Sequence, residues 1–435
     1  MTDRPDSATG WYGSEDFTAG LRSRRKRERL LKWLGILSVV IAVGMLVTLF
    51  GSILWQARTA FVQTQIGLEI TLPEKDFAGG RQADETAIKA ADYRAYVRDA
   101  LHDRLGGRPQ TRAARREARG LISSDASFQL MERVLEEPAM IGTTRTIWLP
   151  ASDDVHNIMQ GVVDRSVAQE NRRTSDRQLE WIDMLVSRGA LRSAFAWDLF
   201  LRSDSRSPEV AGIFAGVVGS ALMLTVTLAV SLPLGVAAAV YLEEFAPRNW
   251  FTKIIDVNIR NLAAVPSIVF GLLALAVFIR VFDMPRSSPL VGGLALSLLT
   301  LPTMIIAARA AIAAVPPSLR TAALELGASK MQTVTKIVLP NALPGILTGT
   351  IISMAEALGE TAPLLMIGMI AFVADAPSGF LDPAAPLPVQ IYTWSTSPER
   401  AFAAKTAAAI IVLRMFLFLM NAAAIYLRDR VQKKW

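Results

Sequence analysis

Six long apolar runs limit the fold of this chain more than any other feature of its sequence. A helix that crosses a bilayer needs about 20 consecutive apolar residues, and each run is at least that long. Because every backbone polar group in lipid must be bonded internally, these runs are expected to form helices. The sequence therefore predicts an all-α polytopic membrane protein with six transmembrane helices. The runs occupy residues 33–55, 211–242, 261–282, 289–314, 342–373 and 404–427.

A long polar stretch separates the first run from the other five. Of the 435 residues, 51% are hydrophobic and 20% are charged, too apolar for an ordinary soluble protein and too polar for one that lies wholly in a membrane. The chain should therefore divide into membrane and aqueous parts. The predicted parts are a basic tail (residues 1–32), a first transmembrane helix (33–55), an insert (56–210), a core (211–427) and a C-terminal tail (428–435).

Basic residues predict the orientation in the membrane. A cluster between Arg22 and Arg29 precedes the first run, and Lys433 and Lys434 follow the last. By the positive-inside rule, both termini face the cytoplasm. The insert is then exported, and its arginines are no contradiction because loops beyond about 60 residues are largely exempt. A cleaved signal peptide is the alternative for the first run, but that run exceeds the roughly 7 to 15 residues of a signal core.

The insert has the patterns of a small, mainly helical α+β domain. Residues 84–105 and 128–135 repeat apolar side chains at helical spacing, and residues 143–149 are the best strand candidate. Ser175 followed by Gln178 matches a capping box, which predicts the start of a helix. The role of the insert stays open: contact with a binding protein, with the envelope or with a partner subunit fits these patterns equally.

Prolines are expected to interrupt four of the membrane helices. They are Pro233, Pro266, Pro302 and Pro363. Such breaks persist in membranes where neighbouring helices or a water-lined path satisfy the freed backbone groups, and ordinary kinking is the simpler interpretation. The sequence contains no internal or inverted repeat of the kind that is typical of secondary transporters.

A soluble-looking segment between the fourth and fifth runs predicts a contact with another protein. This segment, residues 315–341, is called the elbow below. Its small and apolar side chains at Ala322, Ala323, Leu326 and Ser329 recur at helical spacing and give one face for a partner. Gly327 allows a turn, and Pro340 can open the next helix.

Two acids in the fifth run need a physical reason. Glu356 and Glu360 are four residues apart, so we expect them to share one helix face. Each carboxylate at mid-membrane would cost roughly 2.5 to 3.5 kcal/mol. They could line an aqueous path, pair with Arg414 in the last run, or simply lie near the interface.

Several kinds of chemistry are excluded or disfavoured. The chain has no cysteine, which removes disulfides and thiolate chemistry, and its two histidines, His102 and His156, do not form a ligand-spaced cluster. No P-loop and no nucleophile motif is present, and the basic residues flank membrane runs and lack a nucleic-acid motif. We therefore expect a protein that is no enzyme, with no cofactor, no metal, no catalytic residue and no nucleic-acid partner.

The elbow resembles a known motif. Ala322 and Ala323, then Gly327, then Ile337-x-Leu339-Pro340 resemble the EAA loop of ABC importer permeases, which docks into the ATPase subunit in that family. Across residues 211–427 the chain looks like the permease A subunits of phosphate-specific transport systems, and the long insert looks like an extension that only some members have. The supporting motifs are AVYLEEFAP (239–247), AVPSIVFGL (264–272), GETAPLL (359–365) and LPVQIY (387–392).

This resemblance implies an ABC type-1 importer permease core that lies in the inner membrane and forms half of a phosphate pathway. The implied partners are a homologous second permease subunit, an ATP-binding subunit dimer that hydrolyses ATP, a periplasmic phosphate-binding protein, phosphate and the lipid bilayer. The implied ATPase-docking residues are Arg320, Thr321, Ala322, Ala323, Gly327 and Pro340. The implied pathway or subunit-contact residues are Ser267, Arg309, Glu356, Glu360, Thr361 and Arg414.

The chain departs from the family pattern in its charged residues. Thr321 stands where the motif has Glu, and Arg320 could supply a charge at the docking surface instead. Many relatives carry Arg at the positions of Glu356 and Ile306, and Arg309 is close to one turn from Ile306. Because carboxylates repel phosphate, our hypothesis is that Glu356 or Glu360 pairs with Arg414 or with a base on the partner subunit, or is protonated during passage.

Two other classes of function remain possible. An ion-coupled secondary transporter would use Glu360 as a proton carrier and would work as a single polypeptide without ATP. A membrane-anchored sensor would bind ligand on the insert and give no flux. A strict need for an ATPase partner in reconstituted transport excludes both.

Overall fold

The structure, a computed structural model, describes residues 15–369 and 372–431. The first 14 residues of the predicted basic tail and the terminal lysines Lys433 and Lys434 lie outside the described residues. The chain divides into two compact units at Trp55, and the insert and the core belong to the same unit. In the first unit a single helix, α1 (Glu15–Ala57), contains an apolar span long enough to cross a membrane, as predicted for residues 33–55.

The insert is mainly helical around one small sheet, and this prediction is confirmed. Strand β1 (Val62–Thr71) lies in the middle and pairs antiparallel with β2 (Thr144–Pro150) and with β3 (Leu191–Phe195). The register pairs Leu68 with Ile147 and Ile66 with Leu191. The helices are α2 (Glu85–Ala90), α3 (Tyr93–Arg104), α4 (Arg112–Arg119), α5 (Ala126–Glu136), α6 (Asp153–Met159), α7 (Asp176–Ser187) and α8 (Asp198–Leu201).

Local sequence signals place several of these elements. Strand β2 covers the predicted strand, and the capping box of Ser175 and Gln178 opens α7 as expected. The helical structure expected over residues 84–105 is confirmed, but it consists of two helices, because the chain breaks at Ala91 and Asp92. The Asp92 carboxylate accepts the backbone N–H of Ala95 at 3.1 Å, and this cap starts a second helix, α3.

The core is a set of long helices with three π-helical turns. The turns are Tyr241–Phe245 after α9, Leu275–Val281 after α11 and Val334–Val338 before α15. The core helices are α9 (Phe214–Val240), α10 (Trp250–Ala263), α11 (Ser267–Ala274), α12 (Pro289–Ala313), α13 (Pro317–Glu325), α14 (Lys330–Thr333), α15 (Leu339–Gly359), α16 (Ala362–Met366), α17 (Leu387–Ser395) and α18 (Ala401–Val431).

Five helical spans of the described chain are long and apolar enough to cross a membrane, and a sixth requires that a bent pair count as one span. The pair is Trp250–Ala263 with Ser267–Val281, which meet at 99°. The interruption expected at Pro266 within residues 261–282 is therefore confirmed. Pro266 explains the bend, because a proline disfavours helical geometry in the residue before it.

The other prolines behave differently from one another. Helices α9 and α12 run through Pro233 and Pro302 without a break, so the predicted interruptions there are wrong. Pro363 lies in the first turn of α16, just after α15 has ended. Proline is tolerated in a first turn because its missing N–H would have no partner there.

Close helix packing builds the centre of the core. Helix α12 packs along α9 at Gly292 and Gly293 and along α15 at Gly345 and Gly349. Small residues at such crossings let the backbones approach closely, which membrane helices need because lipid offers no hydrophobic driving force between them. This packing fixes the ends of α9 and α12, to which the elbow is joined.

Candidate functional site

The elbow is a short helix, a tight turn and a second helical segment. Gly327 has φ +85°, and two backbone bonds close the turn: Ala328 N–H to Ala323 O and Gly327 N–H to Leu324 O, both 3.0 Å. This pattern is the Schellman motif, which favours glycine at the left-handed position. The predicted turn at Gly327 is confirmed.

Past the turn, the chain continues as one helical span to Gly359. Ser329 and Gln332 form a capping box at the start of α14. Pro340 lies in the first turn of α15, as expected, and the π-helical turn before it makes Lys330–Gly359 one continuous helical span. The π-helical turn Val334–Val338 directly precedes Pro340, whose missing N–H cannot bond back into that turn.

Arg320 holds the elbow to the core. Its guanidinium donates to the Glu244 carboxylate, at 3.0 Å from Nε and 2.9 Å from Nη2. It also donates to the carbonyl oxygens of Ile312 and Val315 at the end of α12. Glu244 and Arg320 expose only 11% and 21% of their side chains, so this arginine is used inside the protein and offers little charge to a partner.

Three consecutive residues in the π-helical turn after α9 contact three different helices. Glu243 accepts from Arg309 of α12 at 3.3 Å, Glu244 accepts from Arg320 of α13, and the Phe245 ring lies 5.1 Å from Lys330 Nζ of α14. Residues 243–245 are called the tether below. The tether joins the turn after α9 to α12 through Glu243 and to the elbow through Glu244 and Phe245, by two ion pairs and one cation–π contact.

Arg309 is part of the same network. Besides Glu243, it forms an ion pair with Asp256 of α10, and Asp256 also pairs with Arg260 at 3.3 Å. Arg309 therefore connects α9, α10 and α12 at one end of the core. A role for Arg309 as a base in an anion path stays a prediction.

The outer surface of the elbow is apolar at its tip. Leu326 exposes 89% of its side chain and Met331 exposes 61%, whereas Ala323 exposes only 3%. Ala322 and Thr321 are exposed, and Thr321 Oγ1 donates to the Ser318 carbonyl at 3.0 Å. A partner that docks here would touch Leu326 and Ala322, while Ala323 packs inward.

Glu356 and Glu360 do not share a helix face. Helix α15 ends at Gly359, and Glu360 is its cap with extended geometry (ψ 115°). Neither carboxylate has a hydrogen-bond or ion-pair partner among the residues that the structure describes. Glu356 lies about 26 Å along the helix axis from Leu339, toward the end opposite the elbow.

The remaining predicted pathway residues lie on contacting elements. Ser267 begins α11 at the bend, and Thr361 caps α16. The two helices cross where a Cβ on Gly271 would come within 2.6 Å of Pro363 Cα. Arg414 lies on α18, which packs against α15. The break between α15 and α16 and the bend before α11 thus lie in the same part of the core, where α11 contacts α16.

A second polar cluster lies where the insert meets the start of α18. It surrounds a cavity of about 30 Å³ and includes Asp153, His156, Glu209 and Lys405. His156 Nε2 donates to the Thr59 carbonyl at 3.2 Å, so Nδ1 accepts from the Thr64 hydroxyl at 3.0 Å. Burial lowers the pKa of His156 to about 4 and, with the nearby acids Asp154 and Glu209, raises the pKa of Asp153 to about 7.

Asp153→Asn is expected to stabilise the protein at pH 8 but not at pH 4. Because the folded pKa of Asp153 is above its ordinary value of 3.8, the native state loses stability as the pH rises from about 4 to 7. Asn removes that loss, on the order of 2 kcal/mol. Thermal unfolding of the detergent-solubilised chain at both pH values measures it. Exposed Asp103→Asn is the control, and an equal shift in both variants would contradict the assignment.

Sequence reasoning missed the tether and the cluster around His156. AVYLEEFAP was noticed only for its resemblance, and nothing local to it indicates that its two acids bind arginines 66 and 76 residues away. The exposed tip could have been found, because Leu326 was already on the predicted apolar face.

Comparison with known proteins shows which protein families the chain matches. A profile of the binding-protein-dependent transport system inner membrane component family matches residues 231–433, and a domain of unknown function, DUF3333, matches residues 18–169. The chain is 32% identical over 238 residues to the probable ABC transporter permease protein YqgI of Bacillus subtilis (strain 168), covering 51% of this chain and 80% of that one.

Other relatives carry phosphate transport in their names. The phosphate transport system permease protein PstA of Pasteurella multocida (strain Pm70) is 31% identical over 241 residues, covering 55% of this chain and 84% of the relative. PstA 1 of Mycobacterium tuberculosis (strain ATCC 25618 / H37Rv) is 32% identical over 252 residues, covering 58% and 80%. Among solved structures, an inward-facing MetNI methionine ABC transporter matches with 17% identity and a TM-score of 0.39, covering 51% of this chain and 95% of that one.

Proposed function

Because the chain belongs to the binding-protein-dependent transport system inner membrane component family, we propose that it is a permease subunit of an ATP-driven phosphate importer. The choice of phosphate is supported by two relatives that are named phosphate transport system permeases, of whose lengths this chain covers 84% and 80%. A chain that matches so much of a permease is expected to do the work of a whole permease subunit.

The subunit is one half of a membrane assembly. A homologous second permease subunit completes the translocation pathway, a dimer of ATP-binding subunits hydrolyses ATP in the cytoplasm, and a periplasmic phosphate-binding protein delivers phosphate. The chain lies in the inner membrane with both termini and the elbow in the cytoplasm and with the insert exported. The basic loops around the elbow support this orientation.

The observation that carries the proposal is the combination of an exposed tip and a fixed base in the elbow. Leu326 offers an apolar side chain that is 89% exposed, and Arg320 behind it is bonded to Glu244 and to the end of α12. Apolar anchors that fill a partner's pocket dominate binding at such contacts. A push on the tip is passed through Arg320 to the core helices and is not lost in a flexible loop.

The coupling follows from this geometry. When the ATP-binding subunits close, they move the elbow, and the tether carries the motion to α9, α10 and α12. The break at Glu360 and the bend at Ser267 are where the core helices can change direction. Transport is then a shift between inward-open and outward-open populations that nucleotide binding biases.

Leu326→Asp is expected to lower copurification of the ATP-binding subunits, and phosphate uptake driven by ATP, by at least tenfold. A charge at an apolar contact must be desolvated without a partner, which weakens docking strongly. Because the side chain is 89% exposed, the abundance of the variant in the membrane should not change. Pull-down of the tagged chain and uptake of labelled phosphate by vesicles measure the effect.

Val186→Asp is the matched control, because Val186 is 45% exposed but lies on α7 of the insert. Unchanged copurification and uptake in Leu326→Asp would refute docking through the tip. Uptake by the isolated chain under a proton gradient would support the ion-coupled transporter, and ligand binding without any flux would support the sensor.

A further inference from the structure

The insert contains a large basic cleft that the transport mechanism does not use. The cleft has a volume of about 720 Å³, which is in the range of small-molecule sites. Its walls are α3, α4 and the segment that leads into α5, and no residue of the core lines it. Five arginines line the cleft: Arg94, Arg98, Arg108, Arg115 and Arg119.

The charges in this cleft are poorly balanced. Asp92 is the one carboxylate among the lining residues that the structure describes, and its Oδ1 already accepts the N–H of Ala95. Arg94, Arg108 and Arg119 have no hydrogen bond or ion pair with any residue in the described part of the chain. Like charges gathered around one cavity repel each other, and an anion would relieve that repulsion.

The other two arginines of the cleft have partners, but none of these partners is an acid that lines the cleft. Arg98 pairs with Asp99 at 2.9 Å, and Asp99 does not line the cleft. Arg115 donates to the carbonyl of Gln110 at 3.3 Å, which leaves its charge uncompensated. Guanidinium groups offer paired N–H donors that match the oxygens of phosphate.

The other residues that line the cleft limit the chemical class of ligand that it can bind. Ser127 supplies a hydroxyl group, while the hydroxyls of Ser123 and Ser124 already bond to the Asp125 N–H and to Ser207. The apolar lining residues are aliphatic: Val97, Leu101 and Ile122. Without an aromatic side chain there is no platform on which a nucleobase could stack. The cleft therefore suits a small oxyanion better than a nucleotide.

His102 provides an observation that is independent of the arginines. Its side chain lines the cleft and is 96% buried, since only 4% is exposed, and its Nε2 has no hydrogen-bond partner among the described residues. Buried polar atoms in native proteins nearly always have a partner. A histidine left in this condition, beside unpaired arginines, is expected where a ligand or its bound water completes the hydrogen bonding.

We propose that this cleft binds a phosphate-bearing anion at a site separate from the translocation path. The anion is either free phosphate or pyrophosphate in solution or the headgroup of a phospholipid, which share the chemistry that the arginines recognise. The proposal does not rest on the transport function, because every residue that carries it belongs to the insert.

Isothermal titration calorimetry on the detergent-solubilised full chain tests the proposal. The probes are inorganic phosphate, pyrophosphate and water-soluble dihexanoylphosphatidylglycerol. The test variant is Arg94→Gln/Arg119→Gln, which replaces each guanidinium by a shorter, uncharged amide and so removes two unpaired charges. The control variant is Arg112→Gln/Arg116→Gln, which removes two exposed charges of the same region that do not line the cleft.

The test variant is expected to bind the effective probe at least tenfold more weakly than the native chain, and the control variant within about twofold. Binding of phosphate or pyrophosphate assigns a soluble ligand, and binding of the lipid probe alone assigns a headgroup. No binding of any probe, or equal weakening in both variants, would overturn the proposal. Phosphate uptake is measured on the same variants, so that an effect on binding in the cleft can be distinguished from an effect on transport.

Discussion

Arg320→Glu is expected to abolish coupled transport and to destabilise the native chain by about 3 to 5 kcal/mol. The substitution places two carboxylates together where Glu244 exposes only 11% of its side chain. It also removes the donors that satisfy the carbonyl oxygens of Ile312 and Val315. Breaking a buried pair costs far more than the pair itself contributes, because the remaining charge stays desolvated. Membrane abundance, apparent Tm in detergent and copurification of the ATP-binding subunits measure the loss.

The charge-swapped double variant Glu244→Arg/Arg320→Glu separates the ion pair from the carbonyl contacts. It restores opposite charges at one site, so part of the lost stability should return, but a glutamate at residue 320 cannot donate to Ile312 and Val315. Lys336→Glu is the control, since Lys336 is an exposed base of the same elbow. If Arg320→Glu behaved like Lys336→Glu, the tether would not couple the elbow to the core.

The membrane architecture could be predicted because its signals are local. Apolar length predicts where helices cross a bilayer, and a glycine between two amphipathic stretches predicts the turn that Gly327 makes at φ +85°. The capping box at Ser175 is equally local, since both of its hydrogen bonds join residues three positions apart. An identical pattern at Ser329 and Gln332 was present in the sequence and was overlooked.

The tether could not be predicted, because its partners are distant in sequence. Glu244 and Arg320 are 76 residues apart, and their contact exists only after α9 and α12 have packed. The two acids in residues 243–244 could equally have been solvated surface charges, which is their usual role in a loop. Only the fold tells which arginine each acid binds.

The expectation that Glu356 and Glu360 share one helix face is wrong for a local reason that sequence reasoning did not weigh. Helical spacing places residues four apart on one face only while the helix continues, and α15 ends at Gly359. Glycine is a common helix terminator, so the end of this helix could have been anticipated.

Strand β1 was missed because Gly67 interrupts its apolar residues. That glycine leaves room for the Trp148 ring, since a Cβ at residue 67 would lie 3.0 Å from the ring atoms.

Gly293→Ala is expected to destabilise the core by about 3 kcal/mol and to lower membrane abundance several-fold. A Cβ at this position would lie 2.5 Å from Val226 Cβ and 2.6 Å from the Met223 carbonyl oxygen. Since one of these atoms is backbone, helices α9 and α12 must move apart. The shift would also strain the bond from Thr227 Oγ1 to the Gly293 carbonyl, now 3.1 Å. Apparent Tm in detergent and quantitative blotting of membranes measure the effect.

Gly292→Ala is the matched control, because it adds the same methyl group one residue earlier on the same helix. There the added Cβ would meet the Met369 sulfur at 2.9 Å and the Met223 sulfur at 3.1 Å. Methionine side chains are flexible and can move aside, so the cost should be about 1 kcal/mol or less. A core that tolerated both substitutions equally would show that the α9–α12 contact is looser than its geometry indicates, and the route from tether to pathway would then have to run through α10 and α15.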